Sequence, residues 1–163
     1  MTSTEFVYTT FIKTTQQKVW DAITNAEFTR QYWGCAMNSD WKKGSHWQMI
    51  SNPDGRTNMV GEVLESSPIT RLAYSWHRPD TNSKSDTSRV TFQLETVKDA
   101  VKLTVVHDKL AQGSEMAKGV SQGWPLVLSS LKSFLETGDT LDFWAIITTD
   151  CAADESGKVK IAR

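Results

Sequence analysis

The chain has 163 residues, a net charge of −1 and 39% hydrophobic residues. That is the length of one domain, which buries about 70% of the surface its unfolded chain exposes and needs no disulfide or metal to be stable. The balanced charge gives no electrostatic case for nucleic acid or an anionic membrane surface, and no apolar run is long enough for membrane insertion.

Residues 5–12 are rich in β-branched and aromatic types and read as a strand. Thr14-Thr-Gln-Gln17 matches a capping box, with a hydroxyl accepting at the helix start and Gln17 reaching back. The helix it opens carries Val19, Trp20 and Ile23 on one face. Asn25 suits the cap of a second short helix, with Phe28 and Tyr32, ending at Trp33-Gly34. From Cys35 the apolar period drops to two. Residues 35–40 read as a short strand and Trp41-Lys-Lys-Gly44 as a turn. In the next strand Trp47 and Met49 alternate with His46, Gln48 and Ile50. Asn52-Pro-Asp-Gly55 is a turn by its residue types.

Residues 56–66 form a long strand with Met59, Gly61 and Val63 on one side and Val60, Glu62 and Leu64 on the other. Ser66-Ser-Pro68 ends it. Residues 70–77 place Leu72, Tyr74 and Trp76 on one face and Arg71, Ser75 and His77 on the other. Residues 78–87 are polar and turn-prone, the best candidate for a mobile loop. Two more strands follow, 88–97 with Val90, Phe92 and Leu94, and 101–108 with Leu103, Val105 and His107. Short links throughout argue for antiparallel pairing, because parallel neighbours need crossovers. Segment 109–122 has a weak helical pattern and predicts a short helix leading to the Gly123-Trp-Pro125 joint.

The stretch Gly123–Gly138 organises the chain. Trp124, Val127, Leu128, Leu131, Phe134 and Leu135 make one apolar stripe at spacings of three and four. Pro125 suits the first turn of that helix and Gly138 a left-handed stop after it. The order of elements predicts an α+β helix-grip fold. A curved antiparallel sheet wraps a long C-terminal helix, and two short helices follow the first strand. Residues 1–138 form the domain and 139–163 a C-terminal extension. Leu141–Ile147 is apolar enough to need burial, as an extra edge strand, and Asp150–Arg163 reads as a flexible tail.

The order of elements and the motifs Lys18-Val-Trp-Asp-Ala-Ile23, Pro68-Ile-Thr-Arg-Leu-Ala-Tyr-Ser-Trp76, Gly123-Trp-Pro125 and Leu131-Lys-Ser-Phe-Leu-Glu-Thr-Gly138 resemble the SRPBCC superfamily, with its START/Bet-v-1-like fold. Within it the chain is most similar to the activator-of-heat-shock-protein-90-ATPase-like branch, widespread in bacteria. The resemblance covers residues 5–138. It implies a cavity between sheet and helix that takes an apolar or amphipathic small molecule. The branch is named after a co-chaperone with an additional N-terminal domain. This chain starts at the first strand, so a chaperone partner is not expected.

Nucleotide, phosphate-loop, zinc-protease and serine-hydrolase signatures are missing, and no cofactor is expected. Trp33, Trp47, Trp76 and Trp124, with Phe92 and Leu128, are the candidate ligand-binding residues. Facing one space, they would form an aromatic box, and the alternative for each is plain core packing. His46, His77 and His107 show no metal-ligand spacing. His77 is the first candidate for a ligand contact or general base, against a half-exposed strand-end histidine. Glu62 is the second, if it points inward beside Arg71 or Arg89; the alternative is a solvent-facing glutamate. Cys35 reads as a small buried hydrophobe. Cys35 and Cys151 are far apart and the first residues lack the regions of a signal peptide, so a reduced, cytoplasmic protein is expected.

Three functions fit. One is a binding module for a hydrophobic or aromatic small molecule, signalling through the 78–87 loop. Another is a cyclase, dehydratase or hydrolase acting on a polyketide-like or aromatic substrate in the same cavity, using His77 or Glu62. The third is an interaction protein, with a chaperone or itself as partner; for self-association 141–147 would add an edge strand to a second copy, the alternative being that it folds back on its own sheet.

Overall fold

The computed structural model describes residues 3–80 and 87–155, with side chains through residue 149. Strand β1 (Ser3–Ile12) is followed by helices α1 (Gln16–Thr24) and α2 (Ala26–Tyr32). Six strands come next: β2 (Cys35–Asn38), β3 (His46–Ser51), β4 (Thr57–Ser67), β5 (Arg71–Trp76), β6 (Ser88–Val97) and β7 (Ala100–Ala111). Helices α3 (Glu115–Thr137) and α4 (Phe143–Glu155) complete the chain. The strands form one antiparallel sheet in the order β1-β7-β6-β5-β4-β3-β2. This is the expected helix-grip fold.

The period-two pattern sets which face each residue takes. In β7, Val101, Leu103, Val105 and His107 are buried and their neighbours are less so. In β5, Leu72, Tyr74 and Trp76 are buried. These faces meet the stripe of α3, whose Val120, Trp124, Val127, Leu128 and Leu131 are buried. The C-terminal half of α3 is stitched to the sheet edge. Lys132 Nζ donates to the Phe11 carbonyl and to Glu136 Oε2, which also accepts from the Lys13 backbone N–H at 2.8 Å. Phe134 stacks on Tyr32 and meets Phe28 at a tilt, with ring centroids 6.0 and 5.8 Å away.

Four expectations are corrected. The first helix starts one residue later than the capping box required. Thr15 is the cap and its hydroxyl accepts from Lys18 N, so no glutamine stands at the reciprocal position. Gln16 instead bridges the sheet, donating to the Ile69 carbonyl at 3.0 Å and accepting from Thr96 N at 3.0 Å.

The second correction concerns α3. Its N-cap is Ser114, which accepts from Ala117 N at 3.1 Å, and the helix runs through Gly119 and Gly123 without a joint. Pro125 therefore sits mid-helix, where it leaves the Ser121 carbonyl without its helical donor. Burial of the stripe on both sides of the proline keeps the helix continuous. Gly138 does stop it, in the left-handed region at φ 86°.

Third, Leu141–Ile147 is not a strand. Asp142 Oδ1 accepts from Ala145 N at 3.1 Å, and the segment turns into α4. Fourth, residues 150–155, read as flexible, continue that helix. Residues 81–86 of the predicted mobile loop and 156–163 of the tail lie outside the described residues. Among the described residues no helix is long and apolar enough to cross a membrane.

Candidate functional site

A cavity of about 360 Å³ lies between the N-terminal half of α3, the strands facing it, and α4. Trp33, at the end of α2, and Trp76, at the end of β5, supply aromatic walls, with Trp124 of α3 between them. The Trp33 and Trp124 rings lie 5.3 Å apart and those of Trp76 and Trp124 6.0 Å. Met49, Met59 and Met116 add polarisable thioethers, and Trp76 Nε1 donates to Met116 Sδ at 3.3 Å. Cys35, Val120 and Val127 line the floor, and Phe143, Trp144 and Ile147 of α4 complete the wall. Asn58, Arg78 and Glu115 bring polar groups to the lining. Gly119 and Gly123, one helical turn apart, also face it, and a Cβ at either would meet nothing within 4 Å. The space exists partly because these two positions carry no side chain.

The tryptophan walls are held from behind by His107, which is fully buried. Trp124 Nε1 can only donate, so His107 Nδ1, 3.0 Å away, is the acceptor. The ring proton is then on Nε2 and is donated to Ser88 Oγ at 2.7 Å. Ser88 passes its own hydroxyl hydrogen to the Trp76 carbonyl at 3.3 Å. This assigned chain of donors links the two cavity tryptophans and fixes the tautomer. Burial pushes the imidazole pKa down to about 4, against a smaller opposing pull from Asp108, so the ring is neutral near pH 7.

A family model described as Activator of Hsp90 ATPase homolog 1-like protein matches residues 13–136. The chain belongs to this family. It shares the family's SRPBCC helix-grip fold with solved structures. The Aha1 dimer from Colwellia psychrerythraea, solved in solution, is 21% identical with a TM-score of 0.70, over 83% of this chain and 98% of that one. CalU16 from Micromonospora echinospora is 21% identical with a TM-score of 0.68, over 94% of this chain and 86% of that one. DynU16, a protein of the dynemicin biosynthetic locus, is 21% identical with a TM-score of 0.69, over 83% of this chain and 48% of that one. At these identities the likeness is one of fold. Among curated protein sequences none matches. Within this family member, α4 lies beyond the matched residues, so one wall of the cavity comes from outside the family region.

The predicted site residues divide. Trp33, Trp76 and Trp124 line the cavity. Trp47, Phe92 and Leu128 do not; they are buried behind it. Trp47 pairs with Gly61 across β3 and β4, brings its indole nitrogen over that glycine and donates the N–H to the Ser75 carbonyl at 2.8 Å. A Cβ on Gly61 would fall 2.0 Å from that carbonyl oxygen, so the close approach requires glycine. Phe92 packs edge-on against Trp124 with ring centroids 5.8 Å apart.

The two acid/base candidates face away. Glu62 is exposed, and its proposed partners are taken: Arg71 pairs with Glu65 and Arg89 with Asp108. His77 pairs in a bridge with Val60 on the side opposite Trp76, and its Nδ1 lies 2.9 Å from the Arg78 carbonyl. Cys35 is buried, and burial raises its thiol well above the usual range, as expected of an inert thiol. Among the described residues no group of three His, Cys, Asp or Glu side chains could hold a metal.

The sequence reading missed His107 as a site residue, together with the Met59–Met116 walls and α4. His107 had a legible signal: it shares its strand face with Leu103 and Val105.

Proposed function

We propose that the protein binds a flat apolar or aromatic small molecule with one polar end, held between sheet, α3 and α4. The observation that carries this reading is the make-up of the cavity lining. Five aromatic rings and three methionines surround a space of about 360 Å³, within the usual range for small-molecule sites. Asn58, Arg78 and Glu115 would orient the polar end.

The cyclase, dehydratase or hydrolase reading loses the two residues it rested on, because His77 and Glu62 face away from the cavity. Self-association by strand addition loses its strand, because residues 141–147 lead into a helix.

The test is intrinsic tryptophan fluorescence titrated with fatty acids, flavonoids, steroids and other aromatic compounds. A saturable change for one class is expected, and it should vanish in Val127→Phe, which adds bulk to the lining, replaces no member of the His107 chain and adds no tryptophan. Flat titrations across the panel would remove the binding reading.

A further inference from the structure

We propose that α4 is a hinged cover of the cavity, latched by the contact between Trp144 and Gly34, and that its opening controls entry. For its purpose this rests on the cavity being a ligand site; its test does not.

The root of the cover is fixed. Gly138 ends α3, and the link that follows is pinned to Ser130, a fully buried hydroxyl. Leu141 N donates to Ser130 Oγ at 3.0 Å. Asp142 then caps the new helix through Ala145 N. From this root α4 carries Phe143, Trp144 and Ile147 over the cavity.

Two residues past that root the helix is held by a polar latch. Trp144 Nε1 donates to the Gly34 carbonyl at 2.7 Å. Gly34 is required there twice. Its φ is +78°, and a Cβ would lie 2.6 Å from Trp144 Nε1. From the root outward along α4 the packing is shallow. None of Phe143 to Thr149 is fully buried, whereas α3 buries six residues. An element held by a root, a latch and half-buried side chains opens at much lower free energy than the core beneath it.

Cys35 reports the opening. It lines the cavity, it follows Gly34 directly, and it is 1% exposed in the closed form. The experiment follows its modification by methyl methanethiosulfonate in the full chain, resolved from Cys151 by peptide mass spectrometry. Trp144→Phe keeps an aromatic ring and removes the donor. About a fivefold faster reaction is expected, the effect of one neutral hydrogen bond. Trp144→Ala should accelerate it further. Ser130→Ala, which loosens the root, carries the test if Trp144→Ala does not fold. In every folded variant the rate should stay constant in urea concentrations below the unfolding transition, as for a local opening.

Equal rates in the parent, Trp144→Phe and Ser130→Ala would overturn the proposal. So would a rate that climbs with urea along the global unfolding curve, because Cys35 would then be reached only by unfolding. No ligand enters this test. Flat titrations would defeat the binding reading and leave the cover standing, and the reverse also holds.

Discussion

Replacing His107 with asparagine should remove a stability loss that the parent suffers in mild acid. Asparagine keeps an acceptor near the Nδ1 position for Trp124 and does not titrate. In the unfolded chain histidine binds its proton near pH 6.5; in the fold, burial delays this to about pH 4. Between those values the unfolded state holds more protons, so stability must fall as pH drops from 6.5 towards 4 and is unaffected by this residue above 6.5. The gap of about 2.5 pH units, at about 1.36 kcal/mol each, gives ~3 kcal/mol. Protonation would also set an Nδ1–H against the Trp124 indole N–H, two donors face to face. Urea unfolding followed by far-ultraviolet circular dichroism at pH 7, 6, 5 and 4 measures the effect. Carboxylates common to both proteins cancel in the difference. The parent's stability relative to His107→Asn should decline by ~3 kcal/mol over that range. A difference that is the same at pH 7 and pH 4 would refute both the burial argument and the assigned tautomer.

Gly119→Ala should stabilise the protein by about 1 kcal/mol, because glycine in a helix interior costs that much and the added methyl meets open space. A raised thermal midpoint accompanied by weaker binding of an aromatic probe is the expected pair of results. Gly61→Ala should cost on the order of 3 kcal/mol or more, since its Cβ would drive into the Ser75 carbonyl and the Trp47 indole. Urea midpoints of the purified variant check this, and a loss under about 1 kcal/mol would show that β4 shifts freely.

The fold was legible because it rests on two periods. The stripe from Trp124 to Leu135 could only be a helix face, and the strand faces followed from alternation at Leu72-Ala-Tyr74 and Leu103-Thr-Val105. Alternation also held the answer for three candidates. Glu62 lies opposite Gly61 and Val63, His77 opposite Trp76, and His107 beside Leu103 and Val105, so the inward histidine was His107. Parity tells which face a residue takes, not how deep it lies. Trp47 faces inward, yet it lies on Gly61 and never reaches the cavity. The tail misled for a different reason. Phe143, Trp144, Ile146 and Ile147 favour strands by residue type, but the Asp142 cap and the one-turn spacing of Phe143 and Ile147 decide for a helix once Gly34 offers Trp144 a partner. Pro125 suggested a helix start, whereas the start is Ser114, and tertiary burial overrides the local cost.

The stitching of α3 to the end of β1 makes that helix a beam built in at one end. Lys132, Phe134 and Glu136 fix one half of its length. The other half carries both glycines and borders the cavity, and the proline that interrupts its hydrogen-bond ladder stands between the two. The half that borders the cavity is held to the sheet by side chains, Trp124 on His107 and Met116 on Trp76, and not by ties to the backbone of β1. On the proposed binding function, guests of different thickness would be met by a swing of the N-terminal turns of α3, while the β1–β7 pairing keeps its register.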